Sequence, residues 1–125
     1  MIVVDTSVWV SALRQPSSSS AEILNSLLSA DEVALPVPVR VELLSGAGRK
    51  ERPRLRRALT GLPVLGVTDE TWSIVDAWIT DAGEAFSIPD LLIAASAREI
   101  GGLVWSLDRD FERMERAGLV ELYSA

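Results

Sequence analysis

The chain has 125 residues, 48% of them hydrophobic, a net charge of −6 and a mean hydropathy of +0.24. That is one domain's length with ample material for a core, and no apolar run approaches the roughly 20 residues a membrane span needs. Cysteine and histidine are both absent, which excludes disulfides, thiol nucleophiles, thiolate or imidazole zinc sites and imidazole acid–base catalysis.

In chain order, IVVD (2–5) predicts a buried strand ended by an acid. The preceding residues carry no basic segment, so no signal peptide is expected and the chain reads as soluble and cytoplasmic. TSVWVSALR (6–14) predicts a helix, QPSSSS a loop whose last serines cap the next helix, and AEILNSLLSAD (21–31) a helix with Ile23, Leu24, Leu27 and Leu28 on one face. EVALP (32–36) predicts a second strand. VPVRVELLSG (37–46) predicts a helix with Pro38 in its first turn and Gly46 at its end. RPRLRRALTG predicts a basic helix and LPVLGV a short third strand. The stretch TDETWSIVDAWITDAGEAF (68–86) predicts one long helix capped by Thr68 or Asp69. SIPDLLIAASAREIGG is a helix with a glycine stop, LVWSLD a fourth strand, RDFERMERAG an amphipathic helix and LVELYSA a final edge strand. Strands alternating with helices imply a helix-covered parallel sheet in a single domain, 1–125. Trp9, Trp72, Trp78 and Trp105 are assigned to the core.

With no histidine or cysteine, chemistry falls to carboxylates and hydroxyls, whose partners are hard cations such as Mg²⁺ and Mn²⁺. In open α/β sheets, sites form beyond the carboxyl ends of strands. Asp5 and Asp108 stand at two such ends, although each could equally cap the helix that follows. Ser87 and Asp90 have the spacing of a capping box, but the helix they open is apolar nearly all round and therefore buried, so Asp90 faces the interior or a cleft. Glu42 sits mid-helix between aliphatic residues, where no cap explains it; a solvent-facing Glu is the alternative. If these four converge, their repulsion needs a cation to offset it, and the set is that of a divalent-metal phosphodiesterase. Rival readings fail on residues: the only lysine, Lys50, lies outside any P-loop, no GxGxxG follows a strand, and Asp5 is followed by Thr6 and Ser7 rather than by a DxD phosphatase motif.

VVDTSVWV, VELLSG, PDLLIAASA and SLDRDFERM resemble, in order and spacing, the motifs of PIN-domain ribonucleases, and most of all the short VapC-type toxins of bacterial toxin–antitoxin pairs. The resemblance spans essentially the whole chain. It implies a three-layer α/β/α fold around a parallel sheet of strand order 3-2-1-4-5, with Asp5 and Asp108 flanking one crevice. It places the family's acidic quartet on Asp5, Glu42, Asp90 and Asp108, a more variable fifth acid on Asp110, and hydroxyl positions on Thr6, Ser7 and Ser106. It further implies Asp5 and Asp90 as Mg²⁺ ligands with Mn²⁺ able to substitute, Asp108 completing the shell or holding a second ion, Glu42 orienting or deprotonating the attacking water, an RNA substrate cut to 5′-phosphate and 3′-hydroxyl ends, a cognate antitoxin and a homodimer.

Seven of the twelve basic residues, Arg40 the first of them, crowd into the segment 40–57. Arg49, Lys50, Arg52, Arg54, Arg56 and Arg57 could hold an RNA backbone, reconciling an acidic protein with an anionic substrate; a merely solvated helix face is the other reading. A non-catalytic PIN-like binding module and a nuclease acting on structured DNA remain as alternatives.

Overall fold

The computed structural model describes residues 1–81 and 85–125. Its elements are β1 (Ile2–Val4), α1 (Thr6–Arg14), α2 (Ser19–Ser29), β2 (Val33–Pro36), α3 (Val37–Gly46), α4 (Arg52–Leu59), β3 (Val64–Leu65), α5 (Asp69–Asp81), α6 (Ile88–Glu99), β4 (Leu103–Trp105) and α7 (Arg109–Arg116). Every residue of β1 and β2 is buried, as expected of parallel strands covered on both faces. The strand order is β3-β2-β1-β4, all parallel, with Ile2 opposite Val33 on one side and Leu103 on the other. The expected fifth strand lies beside β4 as a single parallel bridge between Val104 and Leu122. Two hydrogen bonds hold it, from Val104 N to Glu121 O (3.0 Å) and from Tyr123 N to Val104 O (2.8 Å).

α6 packs on β1 and β4 and against α5, while α1 packs against both α2 and α3, and α3 also against β2. The seven consecutive buried residues Leu91–Ala97 make α6 the most enclosed helix, and one contiguous core cluster runs from Ile2 to Met114. Among the described residues no helix is long and apolar enough to cross a membrane.

Two expectations are corrected. α5 ends at Asp81, and residues 85–87 are non-helical because extended Ser87 caps α6 instead; the expected continuation through 82–84 lies outside the described residues. Trp72 is not a core residue: it is 48% exposed. Thr71 and Val75 are the residues α5 buries, and Trp72 stands about 100° around the helix from Thr71. Trp9 and Trp105 are buried, and Trp78 packs against the core from a partly exposed position.

Candidate metal centre

β1 lies between β2 and β4, so the chain order reverses at the β1–β4 pair, and a crevice opens beyond the carboxyl ends of those two strands. Asp5 follows the last residue of β1, and Asp5 N donates to Trp105 O at 2.8 Å, fastening the two strand ends together. The side chain of Asp5 is 5% exposed. Its Oδ2 accepts from Ser106 Oγ (2.7 Å), Ser7 Oγ (2.8 Å) and Ser7 N (3.4 Å), leaving Oδ1 without a hydrogen bond among the described residues. The hydroxyls in turn accept from the loop after β4: Leu107 N reaches Ser7 Oγ and Asp108 N reaches Ser106 Oγ, both at 3.0 Å. The buried carboxylate is thus satisfied by hydroxyl donors, as burial requires, and the same bonds shape the loop that presents Asp108.

Capping geometry accounts for the positions of the acids without using up their carboxylates. Asp108 Oδ1 accepts from Asp110 N at 2.9 Å and opens α7. Ser87 Oγ accepts from Asp90 N at 3.2 Å and opens α6, so the cap rests on the backbone of residue 90. The two helix starts meet: Asp90, Asp108 and Asp110 each offer a carboxylate oxygen, and the three oxygens lie within 4.8 Å of one another. Burial pushes the Asp90 carboxyl up to about 6, against the Ser87 hydrogen bond and with the help of the Asp5, Asp108 and Asp110 charges. Glu42 is also raised, by burial first and by the Asp5 charge, opposed by a hydrogen bond from Thr6 Oγ1 at 3.3 Å.

The cluster therefore brings Asp5, Asp90 and Asp108 to one crevice with Thr6, Ser106 and Asp110 around them. The tightest three-carboxylate group contains Asp110 rather than Asp5, which stands behind it as a buried, hydroxyl-bound charge. Glu42 lies at the edge, near enough to feel Asp5, beside a cleft it lines with Val10, Leu13 and Leu55. Sequence reasoning missed Arg113, whose Nη1 donates to Asp110 Oδ1 at 2.7 Å while Nη2 donates to Ala85 O at 3.0 Å and the guanidinium lies 4.7 Å from the Phe86 ring centre. The i, i+3 spacing of Asp110 and Arg113 on a helix is a signal that could have found it.

The basic segment does not face this crevice as a block. Arg49, Arg52, Arg56 and Arg57 line a separate groove with Arg40, Leu44, Pro53 and Thr60, whereas Lys50 and Arg54 are not among its lining residues. Arg40, which belongs to the basic segment but not to the residues expected to hold RNA, joins the groove through its helical phase with Leu44.

Three carboxylate oxygens at this spacing, one of them on a group reluctant to ionise beside its neighbours, form a donor set suited to a small hard divalent cation. A profile of the PIN domain matches residues 2–117. Ribonuclease VapC11 of Mycobacterium tuberculosis is 38% identical over 124 residues, covering 93% of this chain and 92% of the relative. Among solved structures, VapBC2 from Rickettsia felis bound to a DNA fragment from its promoter superposes with a TM-score of 0.79 at 21% identity, over 98% of each chain. VapBC-5 of Mycobacterium tuberculosis, described as a member of the VapBC family of toxin–antitoxin systems, superposes with a TM-score of 0.64 at 26% identity, over 98% of this chain and 97% of that one. The profile match over residues 2–117 and the 38% identity across nine-tenths of both chains show that the chain belongs to the PIN-domain family, among its VapC-type members.

Proposed function

We propose that the protein is a divalent-cation-dependent endoribonuclease, the toxin of a toxin–antitoxin pair acting in the cytoplasm. The observation that carries this reading is the convergence of Asp90, Asp108 and Asp110 within 4.8 Å at the crevice where β1 and β4 end. Similarity to proteins named ribonucleases supplies the substrate class, and similarity to a VapBC-family structure supplies the antitoxin partner. Trp72, Ile79 and Ile88, exposed at 48%, 54% and 45%, support a homodimer, since apolar side chains gathered at a surface mark association sites; light scattering reads the mass.

Asp90 and Asp108 would hold Mg²⁺ or Mn²⁺, with Asp110 completing the set and Asp5 adding negative charge from behind. A cation there supplies charge stabilisation at the scissile phosphate and lowers the pKa of an attacking water. The protein's own work is positional. Ser7 and Ser106 hold Asp5 and the loop of Asp108. Thr6 orients Glu42, whose raised pKa brings it toward the range useful to a general base near neutral pH. Arg113 holds one oxygen of Asp110, directing the other toward the cluster. With water as nucleophile, the ribose 2′-hydroxyl takes no part.

The test is cleavage of total RNA by purified protein with Mg²⁺ or Mn²⁺ and with excess EDTA, followed by analysis of the new ends. The expected result is metal-dependent cutting that leaves 5′-phosphate and 3′-hydroxyl ends. Undiminished cutting in EDTA overturns the metal requirement, and 2′,3′-cyclic phosphate ends overturn the water nucleophile. Absence of RNA cleavage under all metals favours a binding module, and cleavage of structured DNA alone favours the DNA nuclease.

A further inference from the structure

In a chain of net charge −6, five arginines line one groove of about 660 Å³ between α3 and α4: Arg40, Arg49, Arg52, Arg56 and Arg57. None of them forms a salt bridge among the described residues, and all but the half-buried Arg40 are exposed. Five like charges facing one hollow repel one another and raise the local potential, a focusing that a bound anion relieves. The planar fork of arginine matches phosphate bidentately. Arg52 and Arg56 are one turn apart on α4, with Cβ atoms about 5–6 Å from each other, so the groove offers a ladder of donors along its length rather than a point.

The groove is not an extension of the carboxylate crevice. Val39 and Leu43 fix the inward side of α3. Arg40 and Glu42 are two residues apart, about 200° around the helix, and so stand on opposite flanks of α3. Arg40 and Leu44 face the arginine groove, whereas Glu42 faces Thr6 and the site.

We propose that the α3–α4 groove is an RNA-backbone exosite: it takes phosphates of the substrate on the far side of α3 from the cleavage site. A bound chain that reaches both must cross a helix about 10–12 Å across, so several nucleotides separate the phosphates held by arginine from the one attacked. The proposal rests on the ribonuclease reading for the identity of the polyanion. Its test therefore uses binding without cleavage, so that the two can fail separately.

The experiment measures anisotropy of a fluorescein-labelled 20-nucleotide RNA in EDTA across a salt series, for the wild type and two charge-matched variants. Arg56→Gln with Arg57→Gln removes two groove charges. Lys50→Gln with Arg54→Gln removes two charges from the same segment but outside the groove. The expected result is that the groove pair lowers the slope of log Kobs against log[salt] by about 1.4, at about 0.7 for each single-strand phosphate no longer neutralised, while the second pair leaves it within error. Equal losses from both pairs, or no loss from either, overturn the exosite. So does displacement of the RNA by poly-glutamate at matched charge, which assigns the groove to a carboxylate-rich protein segment. Melting curves of both pairs confirm that folded protein is being compared.

Discussion

Asp90 reports on the cluster through its proton. Its carboxyl, normally near 3.8, is pushed up to about 6 by burial and by Asp5, Asp108 and Asp110, with Arg113 engaging Asp110 as the nearby cation. A raised carboxyl pKa means that the folded state binds more protons than the unfolded state between the two values, so stability falls as pH rises through that window. In EDTA, the melting temperature of the wild type is expected to drop between pH 4 and 6 more steeply than that of Asp90→Asn. The Ser87 cap survives the substitution because it uses the backbone N–H of residue 90. Equal slopes would mean that Asp90 is not crowded by its neighbours. At this scale the sequence named acids that the fold brings together and was ambiguous about why. Asp5 and Asp108 do cap helices, and capping is compatible with the proposed metal role because a helix start at a strand's end aims an acid into the crevice. Ser7 grips Asp5 from two residues away, but the grip of Ser106 spans about a hundred residues, which no local pattern encodes.

Among the elements, the long or strongly patterned ones were legible and their ends were not. α1 and α3 match their expected limits, since Asp5 and Pro36 start them sharply. The expected final strand is reduced to one bridge, while Leu122 N, on the side turned from β4, donates to Glu115 Oε2 at 2.8 Å. The α3 pattern showed Glu42 as an intruder among aliphatics, but its phase relative to Arg40 became meaningful only once Val39 and Leu43 fixed the inward side. The placement of β4 depends on a close backbone approach: a Cβ on Gly102 would sit 2.8 Å from Met1 O, and Leu103 N donates to that same oxygen at 3.2 Å. Gly102→Ala is therefore expected to destabilise the protein by about 1–3 kcal/mol, the usual range for overpacking, measured by urea denaturation. A loss below about 0.5 kcal/mol would show that the β1–β4 junction yields easily and cannot be what fixes the crevice.

For the molecule as a whole, a cation that binds the folded arrangement and not the unfolded chain must raise stability by RT ln(1 + [L]/Kd), about 2.7 kcal/mol at a hundredfold excess over Kd. In a domain of this size that is roughly a 10 °C rise in melting temperature. The geometry separates the acids expected to produce this response from the one expected not to. Asp108 belongs to the three-carboxylate group, and Asp108→Asn keeps the cap of α7, because Asn and Asp are nearly equal N-caps. In EDTA the variant should be at least as stable as the wild type, having lost one repelling charge, and its Mg²⁺-induced rise should largely disappear. Glu42 is held by Thr6 at the edge of the site, outside that group. Glu42→Gln should keep most of the Mg²⁺ rise while losing RNA cleavage, the behaviour of a proton acceptor rather than a ligand. A full Mg²⁺ response in Asp108→Asn would move the cation away from the ends of β1 and β4. Loss of the response in Glu42→Gln, with Asp108→Asn unaffected, would place the cation on the α3 side of Asp5, leaving the cluster at the starts of α6 and α7 as one helix cap, one first-turn acid and a salt-bridged neighbour.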